Sequence, residues 1–110
     1  MPVRIQLRRA KGWRMPPNTV KVDRSTMWGN HVAKAFGAED PAEAVALFRT
    51  WLEHEASWAW KGRARIELRG KNLACWCRLC ERHKDGNPLG VACPDCAPCH
   101  VDPLLELANA

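Results

Sequence analysis

Six cysteines and two histidines crowd the last third of this 110-residue chain: Cys75, Cys77, Cys80, His83, Cys93, Cys96, Cys99 and His100. Thiolate and imidazole are zinc donors, and chains most easily supply a tetrahedron of them as two knuckles with the ligands a few residues apart. Cys93-x2-Cys96 is one knuckle. The other is Cys77-x2-Cys80, giving C-x2-C-x12-C-x2-C, or Cys80-x2-His83, giving C-x2-H-x9-C-x2-C, and spacing alone leaves both open. Reduced cysteines also pack as small hydrophobes. That fits Cys75 in an apolar run, but not five more among prolines and charges. Half of a nucleobase-deaminase signature is missing. Pro94 follows Cys93 instead of preceding it, and His54-Glu55 lacks the intervening residue of H-x-E.

Arg24, Trp28 and Asn30 form a second constellation. Arginine offers a bidentate fork for phosphate, tryptophan a stacking face, and asparagine paired donor and acceptor groups for a base edge. Against a nucleotide site stands a plainer arrangement, with Trp28 plugging the core beneath a loop and Asn30 bonding its own backbone. Lys+Arg outnumber Asp+Glu by 17 to 12, for a net charge of +5. Arg4, Arg8, Arg9, Lys11, Arg14, Lys21 and Arg24 share the first 24 residues with one acid, Asp23. Such a face can track phosphates or serve only as a solvated surface.

The elements that position these groups follow from periodicity. Val3, Ile5 and Leu7 alternate with polar residues as in a half-buried strand, Thr19–Val22 reads as a second strand, and residues 72–77 as a buried third. Cys75 and Cys77 then share one strand face. Asp40-Pro41-x-Glu43 starts a helix whose apolar stripe is Val45, Phe48, Leu52, Ala56 and Ala59, widened by Leu47, Trp51 and Trp58, with a further turn or two over 64–69. Asp102-Pro103 repeats the cap-plus-proline signature before a closing helix, and residues 78–98 form a long loop that needs a staple. The order β, β, α, α, β, α predicts an α/β domain, a small mixed sheet flanked by helices with an inserted Cys/His loop. One domain is expected at this length. The absence of long apolar runs and of a signal-like start points to a cytoplasmic protein with no membrane partner, where thiols stay reduced.

Thr19–Arg24 with Trp28-Gly29-Asn30, then Leu68-Arg69-Gly70-Lys71-Asn72-Leu73-Ala74-Cys75-Trp76-Cys77, then Cys99-His100-Val101-Asp102 and Leu104–Asn109, resemble the DUF4326 family of small bacterial and phage proteins over nearly the whole chain. Many members resemble this chain except for a much shorter stretch between the last two motifs. They keep counterparts of Cys75, Cys77, Cys99, His100 and Asp102. The resemblance thus implies that Cys80, His83, Cys93 and Cys96 came with the 78–98 insertion as ligands of one structural zinc. It also implies that Cys75, Cys77, Cys99 and His100 belong to the common core. Three uses compete for that core set: an anion pocket at the last helix start with Asp102 as cap, a second metal, or a reactive thiol (Cys99 or Cys77) with His100 as base. The expected role is a zinc-containing domain binding a nucleotide or nucleic acid through Arg24, Trp28, Asn30, Cys75, Cys77, Cys99, His100 and Asp102. The alternatives are a small enzyme using His100 with a core cysteine, and an adaptor whose zinc loop docks a protein partner.

Overall fold

The computed structural model describes residues 2–91 and 93–110; Met1 and Ala92 lie outside the described residues. Three strands, β1 (Val3–Gln6), β2 (Thr19–Lys21) and β3 (Asn72–Cys75), run parallel with β3 in the middle, and a two-residue β4 (Asn87–Pro88) pairs antiparallel with the free edge of β1. Register sets Ile5 opposite Ala74 and Val20 opposite Leu73. Parallel neighbours require a long crossover. The one from β2 to β3 carries α1 (His31–Ala35), α2 (Pro41–His54) and α3 (Trp58–Leu68), and α4 (Val101–Ala108) closes the chain. The fold is therefore α/β with a small mixed sheet. α1 and β4 are additions to the expected order, and β3 ends at Cys75, two residues earlier than the apolar run implied.

Val22 and Leu73 bury one sheet face against Phe48 and Leu52 of α2, Ala64 and Leu68 of α3, and Val101, Leu104, Leu105 and Ala108 of α4. The opposite face holds a smaller cluster of Ile5, Leu7 and Ala74, with Val3 and Trp13 packed against it. The 78–98 segment packs against that face through Gly86. A Cβ on Gly86, whose φ is +138°, would lie 2.8 Å from Val3 Cγ2, so only glycine lets this backbone sit so close.

Helix α2 begins as its sequence signals require. The Asp40 carboxylate accepts from the Glu43 N–H at 2.8 Å, and Pro41 follows it. The stripe holds through Phe48 and Leu52 and then breaks, because Ser57 accepts from the Trp60 N–H and starts a new helix. Trp58, expected in the core, is consequently 83% exposed, and Ala59 is exposed too. Trp60 takes the inward position instead. Its ring meets both Trp28 and Trp51 edge-on at centroid separations of 5.0 Å, the geometry that aromatic quadrupoles favour.

Arg4 also departs from the simple alternation of β1. Val3, Ile5 and Leu7 do share a buried face, but Arg4 on the other face is only 2% exposed. Its guanidinium donates to the Ala97 carbonyl at 2.6 Å, the Arg78 carbonyl at 3.4 Å and Asp102 Oδ2 at 3.2 Å. Ala97 N–H in turn donates to the Arg78 carbonyl at 2.7 Å. Both ends of the inserted segment are thus closed on one another and tied to β1. Replacing Arg4 by Met removes these charged hydrogen bonds, and a loss of about 1–3 kcal/mol is expected. Denaturant melts check the loss, and limited proteolysis should show cleavage rising first within residues 78–98.

Candidate metal centres and cleft

The inserted segment gathers four ligands. Cys80 lies just before the single 3₁₀ turn Glu81–His83, whose last residue supplies the imidazole, while Cys93 and Cys96 come from the returning arm. The ligand atoms of Cys80, His83, Cys93 and Cys96 all lie within 4.8 Å of one another. Cys80 Sγ is 3.8 Å from Cys93 Sγ and 3.2 Å from His83 Nδ1, and Cys96 Sγ is 3.6 Å from the same nitrogen. A tetrahedron with Zn–S near 2.3 Å and Zn–N near 2.0 Å has edges of about 3.5–3.8 Å, so this set can hold such an ion. Cys77 is absent from this set and lies with the other sulfur group instead. Burial works against ionisation of Cys80, yet hydrogen bonds within the cluster, from Cys96 first, bring its thiol down to about 6. Burial, together with its sulfur neighbours, raises the Cys96 thiol.

A second group of sulfurs sits where the carboxyl ends of the parallel strands meet the start of α4. Cys75 ends β3, Cys77 follows two residues on, and Cys99 precedes the helix; their Sγ atoms also lie within 4.8 Å of one another. Backbone hydrogen bonds pin the place. Leu7 N–H donates to the Cys75 carbonyl at 2.8 Å, and Val22 N–H to the Ala74 carbonyl at 2.9 Å. His100 is buried edge-on against Phe48, with Nε2 2.8 Å from the Val22 carbonyl. A carbonyl only accepts, so Nε2 carries a proton and donates it, and Nδ1 lies 3.7 Å from Cys99 Sγ. Hydrogen bonds from Cys77 and Cys99 favour the Cys75 thiolate and lower its pKa, while Cys77 is raised to about 11 and Cys99 is raised as well.

These sulfurs floor an open cleft of about 630 Å³. Arg24, Asn30, Cys75, Cys77, Cys99 and His100 all line it, joined by Lys34 and Glu39 on the rim. An adjoining hollow of about 500 Å³ shares Arg24, Asn30 and Lys34 and adds Met27 and His31. The cleft lies outside the carboxyl ends of β2 and β3, the usual ligand position in open parallel sheets.

Residues 5–110 match the domain of unknown function DUF4326. The chain belongs to that family. No curated protein and no solved structure matches it.

Two of the residues expected on the ligand surface of this DUF4326 protein lie elsewhere. Trp28 is 5% exposed and packs on Trp60 within the core, because the turn from Asp23 to Gly29 folds inward. That turn is tight. Ser25 donates to Asp23 Oδ1 from both backbone and hydroxyl, and a Cβ on Gly29 would lie 2.6 Å from the Asp23 carbonyl oxygen. Asp102 does not cap α4 either. The helix begins at Val101 with His100 in the cap position, so Asp102 falls in the first turn and takes Arg4 instead. Burial raises its carboxyl, with Arg4 opposing that rise. Asn30 reaches the cleft while fully engaged, capping α1 through Oδ1 and donating to the Ala44 carbonyl at 2.9 Å. Lys34 and the Val22 carbonyl are additions that no motif announced. Lys34 lies in a helix too short to show periodicity, and a backbone carbonyl has no signature in sequence.

In the DUF4326 chain the inserted cluster is separate from the sulfurs of the cleft, so its loss should be local. A Cys93→Ser substitution is expected to lower zinc content by about one equivalent per chain. It should open residues 78–98 to protease while leaving the fluorescence of the Trp28–Trp51–Trp60 group unchanged. Elemental analysis with limited proteolysis checks both.

Proposed function

We propose that this protein is a zinc-stapled nucleotide-binding domain whose ligand lies in the cleft above Cys75, Cys77, Cys99 and His100. One observation carries the reading: Arg24, Asn30 and Lys34 belong to both adjoining hollows. Two cations at the waist of a divided cleft suit an anion held in the middle, with the remainder of its ligand extending to either side. A phosphate at the waist and a nucleoside in the larger hollow satisfy that division. Glu39 on the rim supplies an acceptor for the donor groups of a base. The cleft volume falls within the roughly 300–1,000 Å³ usual for small-molecule sites.

A small nucleotide is preferred to a nucleic-acid strand because several basic residues of the N-terminal stretch are engaged within the protein. Arg4 is spent on Asp102 and the inserted segment, Lys21 lies 3.6 Å from Asp23 Oδ2, and Arg9 stands over the Trp76 ring at 5.0 Å. The metal in the inserted loop is structural in this reading, since four protein ligands leave no position for a substrate. Six free cysteines suit a reducing compartment such as the cytoplasm. No helix among the described residues is long and apolar enough to cross a membrane.

Calorimetric titration with AMP, inorganic phosphate and a single-stranded oligonucleotide tests the proposal. AMP is expected to bind, with Arg24→Ala weakening it by about tenfold or more. Binding of the oligonucleotide with no response to AMP would assign the cleft to nucleic acid. Silence towards all three would overturn the reading.

A further inference from the structure

We propose that Cys75, Cys77 and Cys99 hold a second zinc whose fourth coordination position opens into the cleft and is filled by a donor atom of the bound ligand. The two sulfur clusters differ in a way that distinguishes their chemistry. The inserted loop presents four mutually close ligands, a complete tetrahedron. The cleft floor presents three, and His100 is not a member of that mutually close set. Closed four-ligand sites are structural, whereas three protein ligands leave room for water or a substrate.

The three sulfurs come from separate places, a strand end, the residue two beyond it, and the residues before α4, yet all face one another and all line the cleft. Packing alone gives no reason for this. Cys75 and Cys99 are almost wholly buried within the core cluster that holds Phe48 and the leucines, but an apolar filling role does not require three thiols mutually within 4.8 Å. His100 supplies the second observation. Its Nε2–H is donated to the Val22 carbonyl, which fixes the ring and turns Nδ1 towards Cys99 Sγ, 3.7 Å away. A ring held in this way beside the open position can accept a hydrogen bond from whatever occupies it. Arg24 lies on the same cleft wall, where its charge offsets the net −1 of a zinc trithiolate.

This inference shares the cleft with the proposed nucleotide site and rests on that reading only for the identity of the ligand. Metal count and anion access can be measured whether or not AMP binds. Purified protein would be exchanged into cobalt(II), and its thiolate charge-transfer and d–d bands followed as azide is added. The wild type is expected to take up about two equivalents of cobalt, with azide shifting the d–d bands. The loop variant Cys93→Ser should keep about one equivalent and the full azide response, whereas Cys77→Ser should keep about one equivalent and lose it. Uptake of only about one equivalent by the wild type, abolished by Cys93→Ser, would overturn the proposal. So would two equivalents with no azide response, because His100 would then close the site. Thiol titration of the metal-free protein showing a disulfide among Cys75, Cys77 and Cys99 would overturn it as well.

Discussion

The hydrogen bond from His100 Nε2 to the Val22 carbonyl, at 2.8 Å, joins the start of α4 to the chain just beyond β2. Val22 is in turn bonded to Ala74 of β3, so the middle strand, the edge strand and the last helix meet at one point. Cys99 is carried to Cys75 and Cys77 by that junction, because it precedes the pinned histidine. The cleft opens at the same place, since the chain leaves β2 through the Asp23–Gly29 turn and brings Arg24 to its wall. Sulfurs, imidazole and cation are thus positioned by strand ends, a helix start and the tight turn after β2.

The 78–98 segment is attached beside this junction, pairing β4 with β1. Long loops cost little extra closure entropy, but twenty-one residues rich in Gly and Pro, 78–98, do not order themselves. Arg4 holds the stem through the Ala97 and Arg78 carbonyls, and four side chains that could hold a metal gather at the tip. Trapping a charged guanidinium under the loop is favourable because it is paired with Asp102 and hydrogen-bonded to carbonyls. The two clusters thereby carry different tasks: one closes a loop, and the other faces a cavity.

Much of this organisation was legible in the residues. Period-two alternation marked β1, the Asp40-Pro41 start marked α2, and knuckle spacing marked the inserted cluster, because each is a local pattern with a local cause. What the pattern missed depended on neighbours far along the chain. Arg4 reads as a solvated strand residue until α4 and the insertion cover it. Trp28 reads as a stacking ring until Trp60 meets it, and Trp58 reads as core because a Ser57 cap inside an apolar stripe is easily passed over. Asp102 lost its capping role for a similar reason, since a buried arginine competes for its carboxylate. The meeting of Cys75, Cys77 and Cys99 was foreshadowed by their motifs, but the orientation of His100 rests on a backbone carbonyl seventy-eight positions away.

The division of the cysteines into a structural loop and an open cleft site is tested most directly by anomalous diffraction at the zinc absorption edge. Two peaks are expected, one among Cys80, His83, Cys93 and Cys96, and one about 2.3 Å from the sulfurs of Cys75, Cys77 and Cys99 with its remaining position facing Arg24. A single peak in the loop, with the three cleft sulfurs bare, would contradict the account.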